Sequence, residues 1–181
     1  MHTCLLLIDW QEGFRDLALW GPRNNPDAEA NARRLIDHWR DRAWPIVHVR
    51  HASRQPGSPL AAGQPGHAFR DFATPAPSEP EYVKNVHAAF IGTTLERDLR
   101  EAGIEALVIS GVATDHCVST TARMAHDLGF SVVVAGDACH AFARRAPGGA
   151  MVEAETVHRA NLASLHGEFG KVMDTAAILA G

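Results

Sequence analysis

The sequence predicts an α/β protein with three layers, α/β/α, in which a doubly wound and mainly parallel sheet of about six strands lies between helices, as in Rossmann-like folds. Short apolar runs alternate along the chain with segments whose apolar residues recur at helical spacing, which is the order expected of such a sheet. The first run, residues 4–8, is apolar throughout, as is typical of a strand buried on both faces. The 181 residues, 46% of them hydrophobic, suit a single domain over residues 1–181.

The first half of the chain supplies three predicted strands and one long helix. The strands are residues 4–8, residues 46–49 and a short one that begins at 82–83. Residues 26–42 predict the helix, because proline suits a first helical turn and apolar residues follow at helical spacing. Residues 52–80 are rich in proline and glycine. They predict a long irregular loop, a kind of segment that usually carries function or is mobile.

The second half of the chain continues the alternation. Residues 94–102 and 116–128 predict helices, and each is followed by a glycine of the kind that ends helices. The other predicted elements are strands at 106–109, 131–135 and 171–173, helices at 153–165 and 175–179, and a loop at 144–150.

Composition excludes several classes of function. A net charge of −4 and a pI of about 6.2 argue against a nucleic-acid partner, which requires a basic face. The apolar run near the start is too short for a signal sequence or a membrane span. Cys4, Cys117 and Cys139 form no Cys-x-x-Cys pair, which fits a reducing compartment, and Cys4 and Cys139 lie in or near apolar strands as expected of core thiols. We therefore expect a soluble, cytoplasmic protein that acts on a small molecule.

Three reactive side chains stand at the ends of predicted strands. Asp9 follows the first strand, Lys84 ends the third, and Cys117 opens the helix after the fourth. In open parallel sheets, ligands bind beyond the carboxyl ends of the strands. Each residue taken alone has an ordinary structural explanation, as a turn aspartate, a surface lysine or a buried thiol. Their occurrence together at one sheet edge favours a catalytic group.

The chemistry of these side chains fits nucleophilic catalysis. A helix N-terminus carries partial positive charge and unpaired N–H groups, which favour the thiolate of Cys117 and can bind a developing oxyanion. Asp9 can take and return protons. Lys84 is a cation that favours both the thiolate and the carboxylate.

Several segments resemble the isochorismatase-like cysteine hydrolase superfamily, which includes nicotinamidases and N-carbamoylsarcosine amidohydrolases. The matching segments are LLLIDWQEGF at 5–14, residues 84–130 with the motif GVATDHCVSTTA at 111–122, VVVAGDACHAF at 132–142 and SLHGEF at 164–169. The resemblance implies a catalytic triad of Asp9, Lys84 and Cys117. It also implies a non-proline cis peptide at Val112–Ala113, with the backbone N–H groups of Ala113 and Cys117 as oxyanion donors.

The resemblance also suggests residues that contact the substrate. Phe14 lies at the family position that lines the pocket, although core packing is an equal alternative. His51 at the end of the second strand and Phe90 are the other candidates. Many relatives read Ser-Ala-Phe where this chain has Ala88-Ala89-Phe90, so a hydroxyl is missing and the polarity of the substrate stays open. Homodimers or homotetramers are implied as well.

Eleven histidines require a metal site to be considered. Nicotinamidases carry an Asp-x-His element after the second strand, whereas this chain has His48-Val49-Arg50-His51 with no aspartate. His48 and His51 would point to opposite faces of a strand, and His51 with His67 makes too few ligands. We therefore expect no metal and no cofactor. His116, at the start of a helix, is predicted to be structural and to point away from the site.

The predicted activity is hydrolysis of a small amide or carbamoyl compound through a thioester on Cys117. The first alternative is an isochorismatase that cleaves a vinyl ether, a reaction that does not require the thiol. The second is a non-catalytic binding protein on the same fold, which would have no need of an intact triad. A thiol redox protein is disfavoured because no resolving cysteine stands at Cys-x-x-Cys spacing.

Overall fold

The computed structural model describes residues 3–181 and contains a six-stranded, wholly parallel sheet in the order β3-β2-β1-β4-β5-β8. The strands are β1 (Thr3–Ile8), β2 (Ile46–His51), β3 (Glu81–Lys84), β4 (Ala106–Val112), β5 (Ser131–His140), β6 (Arg144–Arg145), β7 (Met151–Val152) and β8 (Lys171–Met173). Strands β6 and β7 form a separate antiparallel hairpin. The predicted three-layer fold is confirmed.

Helices cover both faces of the sheet. They are α1 (Leu17–Trp20), α2 (Ala28–Asp41), α3 (Leu95–Glu101), α4 (Ser119–Asp127), α5 (Ala154–Leu165) and α6 (Thr175–Ala180). Helices α2 and α6 pack with one hydrophobic cluster, and α3, α4 and α5 contribute to the other. The residues of β1 alternate between the two clusters, with Cys4 on one face and Leu5 on the other. This strand therefore has to be apolar at every position. No helix among residues 3–181 is both long and apolar enough to cross a membrane.

Strands β4 and β5 are longer than predicted. The sequence interpretation ended them at residues 109 and 135, but Gly111 pairs with Cys139 and Val112 pairs with His140 beyond a local irregularity. Gly111, which lies beyond the predicted end of this strand, is part of β4. A Cβ atom at Gly111 would lie 2.2 Å from the Ile8 carbonyl oxygen, so the close approach of β1 and β4 requires glycine at this position.

The other differences between the predicted and the observed secondary structure involve short elements. The helical segment before α4 begins with a π turn at Thr114–Val118, two residues earlier than predicted. The predicted loop at 144–150 contains the start of the β6–β7 hairpin. Helix α1 and a 3-10 turn at Glu12–Arg15 were not predicted, because four residues are too few to show a period.

The long loop at 52–80 is irregular, as predicted, apart from two short 3-10 turns. It is fixed to the rest of the molecule by the buried side chain of Gln11. The Gln11 amide nitrogen donates to the carbonyl oxygens of His51 and His67, at 3.0 and 3.1 Å, and its oxygen accepts from the His51 N–H at 2.8 Å. Gly66 packs so closely on Gly13 that a Cβ atom there would lie 2.8 Å from the Gly13 Cα. The loop is therefore anchored beside the end of β1.

Candidate active site

The candidate site lies beyond the carboxyl ends of β1 and β4, the two neighbouring strands from which the chain order runs outward in opposite directions. Such a point in an open α/β sheet opens a crevice for ligands. Asp9 follows β1 directly and has a left-handed backbone with φ of 54°, which aspartate tolerates better than most residues. Lys84 is the last residue of β3, and Cys117 lies in the π turn that follows β4. Non-helical irregularities of this kind are frequent at functional sites.

Lys84 joins the three predicted catalytic residues. Its Nζ donates to Asp9 Oδ2 at 2.6 Å and to Cys117 Sγ at 3.2 Å. The side chains of Lys84 and Asp9 are fully buried. The Nδ1 atom of His51 lies 3.4 Å from Lys84 Nζ and supplies a third acceptor for the ammonium group. A buried ammonium group has three N–H donors to satisfy, and this arrangement offers one acceptor for each.

The charges of the group suit a thiol that is protonated until a base removes its proton. Burial raises the pKa of the Cys117 thiol, and the Asp9 carboxylate raises it further, whereas Lys84 acts in the opposite direction. The lowered thiol pKa expected from the helix start is therefore not found, because burial outweighs the effect of the helix start. Burial lowers the pKa of Lys84, but Asp9 and Cys117 outweigh it and the net pKa is raised, so Lys84 stays cationic. Asp9 Oδ1 is buried and has no hydrogen-bond partner within residues 3–181.

A cavity of about 110 Å³ opens onto the Cys117 thiol. Its lining combines aromatic side chains, histidines and one arginine. The lining residues are Phe14, Trp20, His51, Leu60, His87, Ala113, His116, Cys117, Phe142 and Arg144. Phe14, Trp20 and Phe142 form an aromatic wall, with ring centroids 5.0 Å apart for Phe14 and Trp20 and 5.9 Å apart for Trp20 and Phe142.

Some of the other predicted site residues line the cavity, and others do not. His51 and Phe14 both line the cavity. Phe90 lies in the hydrophobic core, where its ring stacks on Phe130 at 6.0 Å, and it is not among the residues that line the cavity. His116 does line the cavity, so the prediction that it points away is wrong. The helical segment starts earlier than predicted and holds His116 and Cys117 within the same π turn.

The peptide bond between Val112 and Ala113 is cis, at the point where β4 meets the π turn. Ala113 lines the cavity together with Cys117. Both residues implied as oxyanion donors therefore stand at the surface that a bound carbonyl group would meet.

Five lining residues are not among the site residues predicted from the sequence: Trp20, Leu60, His87, Phe142 and Arg144. Leu60 could have been found from the sequence, because it is an isolated leucine in a polar, proline-rich loop. In the structure its side chain is buried. Trp20 and Arg144 belong to elements of four and two residues, which show no periodicity. His87 follows β3 in an irregular segment and had no distinguishing pattern.

The histidines on β2 do not converge. His48 Nε2 lies 2.8 Å from Glu79 Oε2, whereas His51 faces Lys84. Within residues 3–181 no group of three His, Cys, Asp or Glu side chains is arranged to hold a metal ion.

Iodoacetamide should label Cys117 well ahead of Cys4 and Cys139 in the folded protein. The Cys117 thiol lines the cavity, whereas Cys4 and Cys139 are fully buried in the core, so the reagent reaches only Cys117 while the protein stays folded. Peptide mapping by mass spectrometry after timed labelling measures the order. Unfolding in urea supplies the control, since all three thiols should then react at similar rates. Labelling of Cys4 or Cys139 as fast as Cys117 in the folded protein would contradict the assignment.

Comparison with known proteins gives matches to one family over nearly the whole chain. The isochorismatase-domain family model matches residues 3–177. The isochorismatase family protein YrdC of Bacillus subtilis is 37% identical over 175 residues, covering 97% of this chain and 93% of that protein. A solved isochorismatase-family protein from Chromobacterium violaceum superposes with a TM-score of 0.95 at 44% identity, covering 98% of this chain and 92% of the other. The ureidoacrylate amidohydrolase RutB of Methylobacterium radiotolerans is 34% identical over 118 residues, which is 65% of this chain but 42% of that protein.

Proposed function

Because this chain belongs to the isochorismatase family of hydrolases, we propose that it hydrolyses a small amide or carbamoyl compound with Cys117 as the nucleophile. One observation carries the proposal. Lys84 Nζ lies within hydrogen-bonding distance of both Asp9 and Cys117, at 2.6 and 3.2 Å, beside a cavity that reaches the thiol. A base, a cation and a nucleophile are then held together where a carbonyl group can enter.

The first half of the reaction forms a thioester. Asp9 accepts the thiol proton, and the sulfur of Cys117 bonds to the carbonyl carbon while the carbonyl π electrons move onto oxygen. The backbone N–H groups of Ala113 and Cys117 donate to the oxyanion. Asp9 then returns the proton to the leaving nitrogen, the C–N bond breaks, and the amine departs.

The second half of the reaction releases the acid. Asp9 takes a proton from water, and the hydroxide attacks the thioester carbon. The C–S bond breaks, and the sulfur regains its proton through Asp9. Lys84 stays cationic throughout and offsets the negative charge that passes between Asp9 and Cys117. The contact with His51 keeps the ammonium group oriented.

The alternatives receive less support from the site. Cleavage of a vinyl ether does not require a thiol, and here the thiol faces the cavity beside a lysine. A binding protein would have no use for a fully buried Lys84–Asp9 pair, since removing two charges from water costs several kcal/mol per ion. The name of one relative, ureidoacrylate amidohydrolase, also favours C–N hydrolysis.

A screen of small amides and carbamoyl compounds for ammonia or amine release tests the proposal, with isochorismate as the vinyl-ether substrate. Cys117→Ala should abolish amide hydrolysis, and Cys4→Ala, which removes a buried thiol elsewhere, should keep it. Activity should also survive EDTA. Amide hydrolysis that persists in Cys117→Ala, or that requires an added metal, would overturn the mechanism. Turnover of isochorismate alone would establish the vinyl-ether alternative.

We further propose that the protein works in the cytoplasm as a homodimer or homotetramer. Its three cysteines are all free, as suits a reducing compartment. Leu17, Leu19 and Met151 are about half exposed and offer apolar contact surface. Light scattering at micromolar concentration measures the assembly, and a strict monomer would exclude it.

A further inference from the structure

We propose that Arg144 recognises a negatively charged group on the substrate, so that the natural substrate is a short amide or carbamoyl compound that carries a carboxylate. The inference rests on the proposed function for the place of the scissile bond, at Cys117. Arg144 lines the same cavity as the Cys117 thiol.

Arg144 is held in one orientation from behind. Its Nε donates to Asp115 Oδ2 at 2.7 Å, and its Nη2 donates to Asp115 Oδ1 at 3.2 Å. The guanidinium group also lies over the ring of Phe142, 5.9 Å from its centroid. Nη2 also lies 3.3 Å from His116 Nδ1, and Nη1 has no hydrogen-bond partner among residues 3–181. A guanidinium fixed in this way is suited to bind a planar anion through its remaining N–H groups.

Asp115 fixes Arg144 without facing the ligand. Its side chain is 7% exposed and does not line the cavity. Burial acts to raise its pKa, but hydrogen bonds from His116 and Arg144 and their positive charge bring the pKa down to about 2. Asp115 is therefore an anion at any working pH. It stabilises the guanidinium from the protein side and leaves the cavity side to the substrate.

The polarity of the cavity lining favours an anion over a cation. Among the described residues that line it, Arg144 is the only one with a permanent charge, and neither aspartate nor glutamate is present. His87 and His116 also line the cavity, with ring centroids 5.6 Å apart, and their ring nitrogens offer further polar groups. A cationic substrate would face Arg144 with no carboxylate in the lining to receive it. A carboxylate on the substrate would instead face the positive charge of Arg144.

The size of the cavity limits the distance between the two ends of the substrate. About 110 Å³ is small beside the roughly 300–1,000 Å³ of pockets for drug-sized ligands. The carboxylate and the scissile carbonyl group are therefore separated by only a few atoms. The aromatic wall of Phe14, Trp20 and Phe142 suits a short apolar or flat linker between them.

Matched substrates test this inference. The panel contains the monoamides of malonate, succinate and glutarate, and each acid is paired with its uncharged methyl ester. The wild type should hydrolyse at least one acid with kcat/KM roughly 10–100-fold above that of its ester, the range expected of charged hydrogen bonds. Arg144→Met should bring this ratio close to one. Arg145→Met is the matched control: it removes the neighbouring arginine, which contacts the Gly149 carbonyl oxygen and does not line the cavity, and should keep the preference.

A binding measurement separates this inference from the proposed reaction. Malonate, succinate and glutarate contain no amide bond, yet at least one should slow iodoacetamide labelling of Cys117 in the wild type and in Arg145→Met. The same compound should give no protection in Arg144→Met. Protection without hydrolysis of any amide would support the anion subsite and overturn the proposed reaction. If the amide bond of the methyl esters is hydrolysed as fast as that of the acids, or if protection persists in Arg144→Met, the subsite is overturned and the proposed reaction is left intact.

Discussion

Asp9→Asn should lower turnover by roughly 10²–10⁴-fold, the contribution typical of a general base, with little change in fold. The substitution keeps the shape of the side chain and its contact with Lys84 but removes the basic oxygen. Steady-state kinetics on whichever amide the screen identifies measures the loss. Asp41→Asn, at the exposed end of α2, provides a matched control that should leave turnover unchanged.

The same variant shows whether Asp9 is electrically coupled to the thiol. Asp9 raises the pKa of Cys117, so its removal should move the pH profile of iodoacetamide labelling to lower pH. This displacement shows that the charge of Asp9 acts on the thiol, whereas a profile that does not move to lower pH, together with lost turnover, points to Asp9 as the base that receives the thiol proton. An unchanged labelling profile with normal turnover would show that Asp9 takes no part in the reaction.

Lys84→Met should abolish measurable turnover and lower the free energy of unfolding at neutral pH by about 3–5 kcal/mol, the cost of breaking a buried ion pair. The side chains of Lys84 and Asp9 are both fully buried, so the variant leaves the buried Asp9 carboxylate without a compensating positive charge. Urea denaturation followed by circular dichroism measures the loss. Because Lys84 acts to lower the pKa of Cys117, thiol labelling should move to higher pH.

The charge that remains after Lys84→Met explains the loss of stability, because the Asp9 carboxylate stays buried without its partner. The double variant Asp9→Asn/Lys84→Met carries no buried charge here and should be more stable than Lys84→Met, yet inactive. A double variant no more stable than Lys84→Met would contradict the buried-charge explanation.

The proposed catalytic group of Asp9, Lys84 and Cys117 could be predicted from the sequence because its position depends on local patterns. Short apolar runs mark the strands, and parallel pairing brings the carboxyl ends of β1, β3 and β4 to one edge. Asp9, Lys84 and Cys117 follow from that rule, and the resemblance to the family strengthened it. The structure places their side chains in contact around the Lys84 ammonium group.

The cavity wall was not accessible in the same way. Trp20 and Arg144 reach the cavity through a short helix and a two-residue strand, whose positions depend on tertiary packing rather than on a period. The thiol pKa was expected to be lowered, because a helix start is visible in sequence whereas the degree of burial is not. Phe90 was assigned to the cavity by resemblance alone, although its contact with Phe130 belongs to the core.

The close approach at Gly111 has a consequence for how such a protein can be re-engineered. Strands β1 and β4 approach so closely there that no side chain fits between them, so the spacing of the segments that carry Asp9 and Cys117 is fixed inside the sheet. Leu60, Trp20 and Arg144 of the cavity lining come instead from the loop at 52–80, helix α1 and the β6–β7 hairpin. Part of the cavity wall is therefore encoded apart from the residues proposed to react. Libraries that vary Trp20, Leu60 and Arg144 explore new substrates while the reactive core retains its geometry.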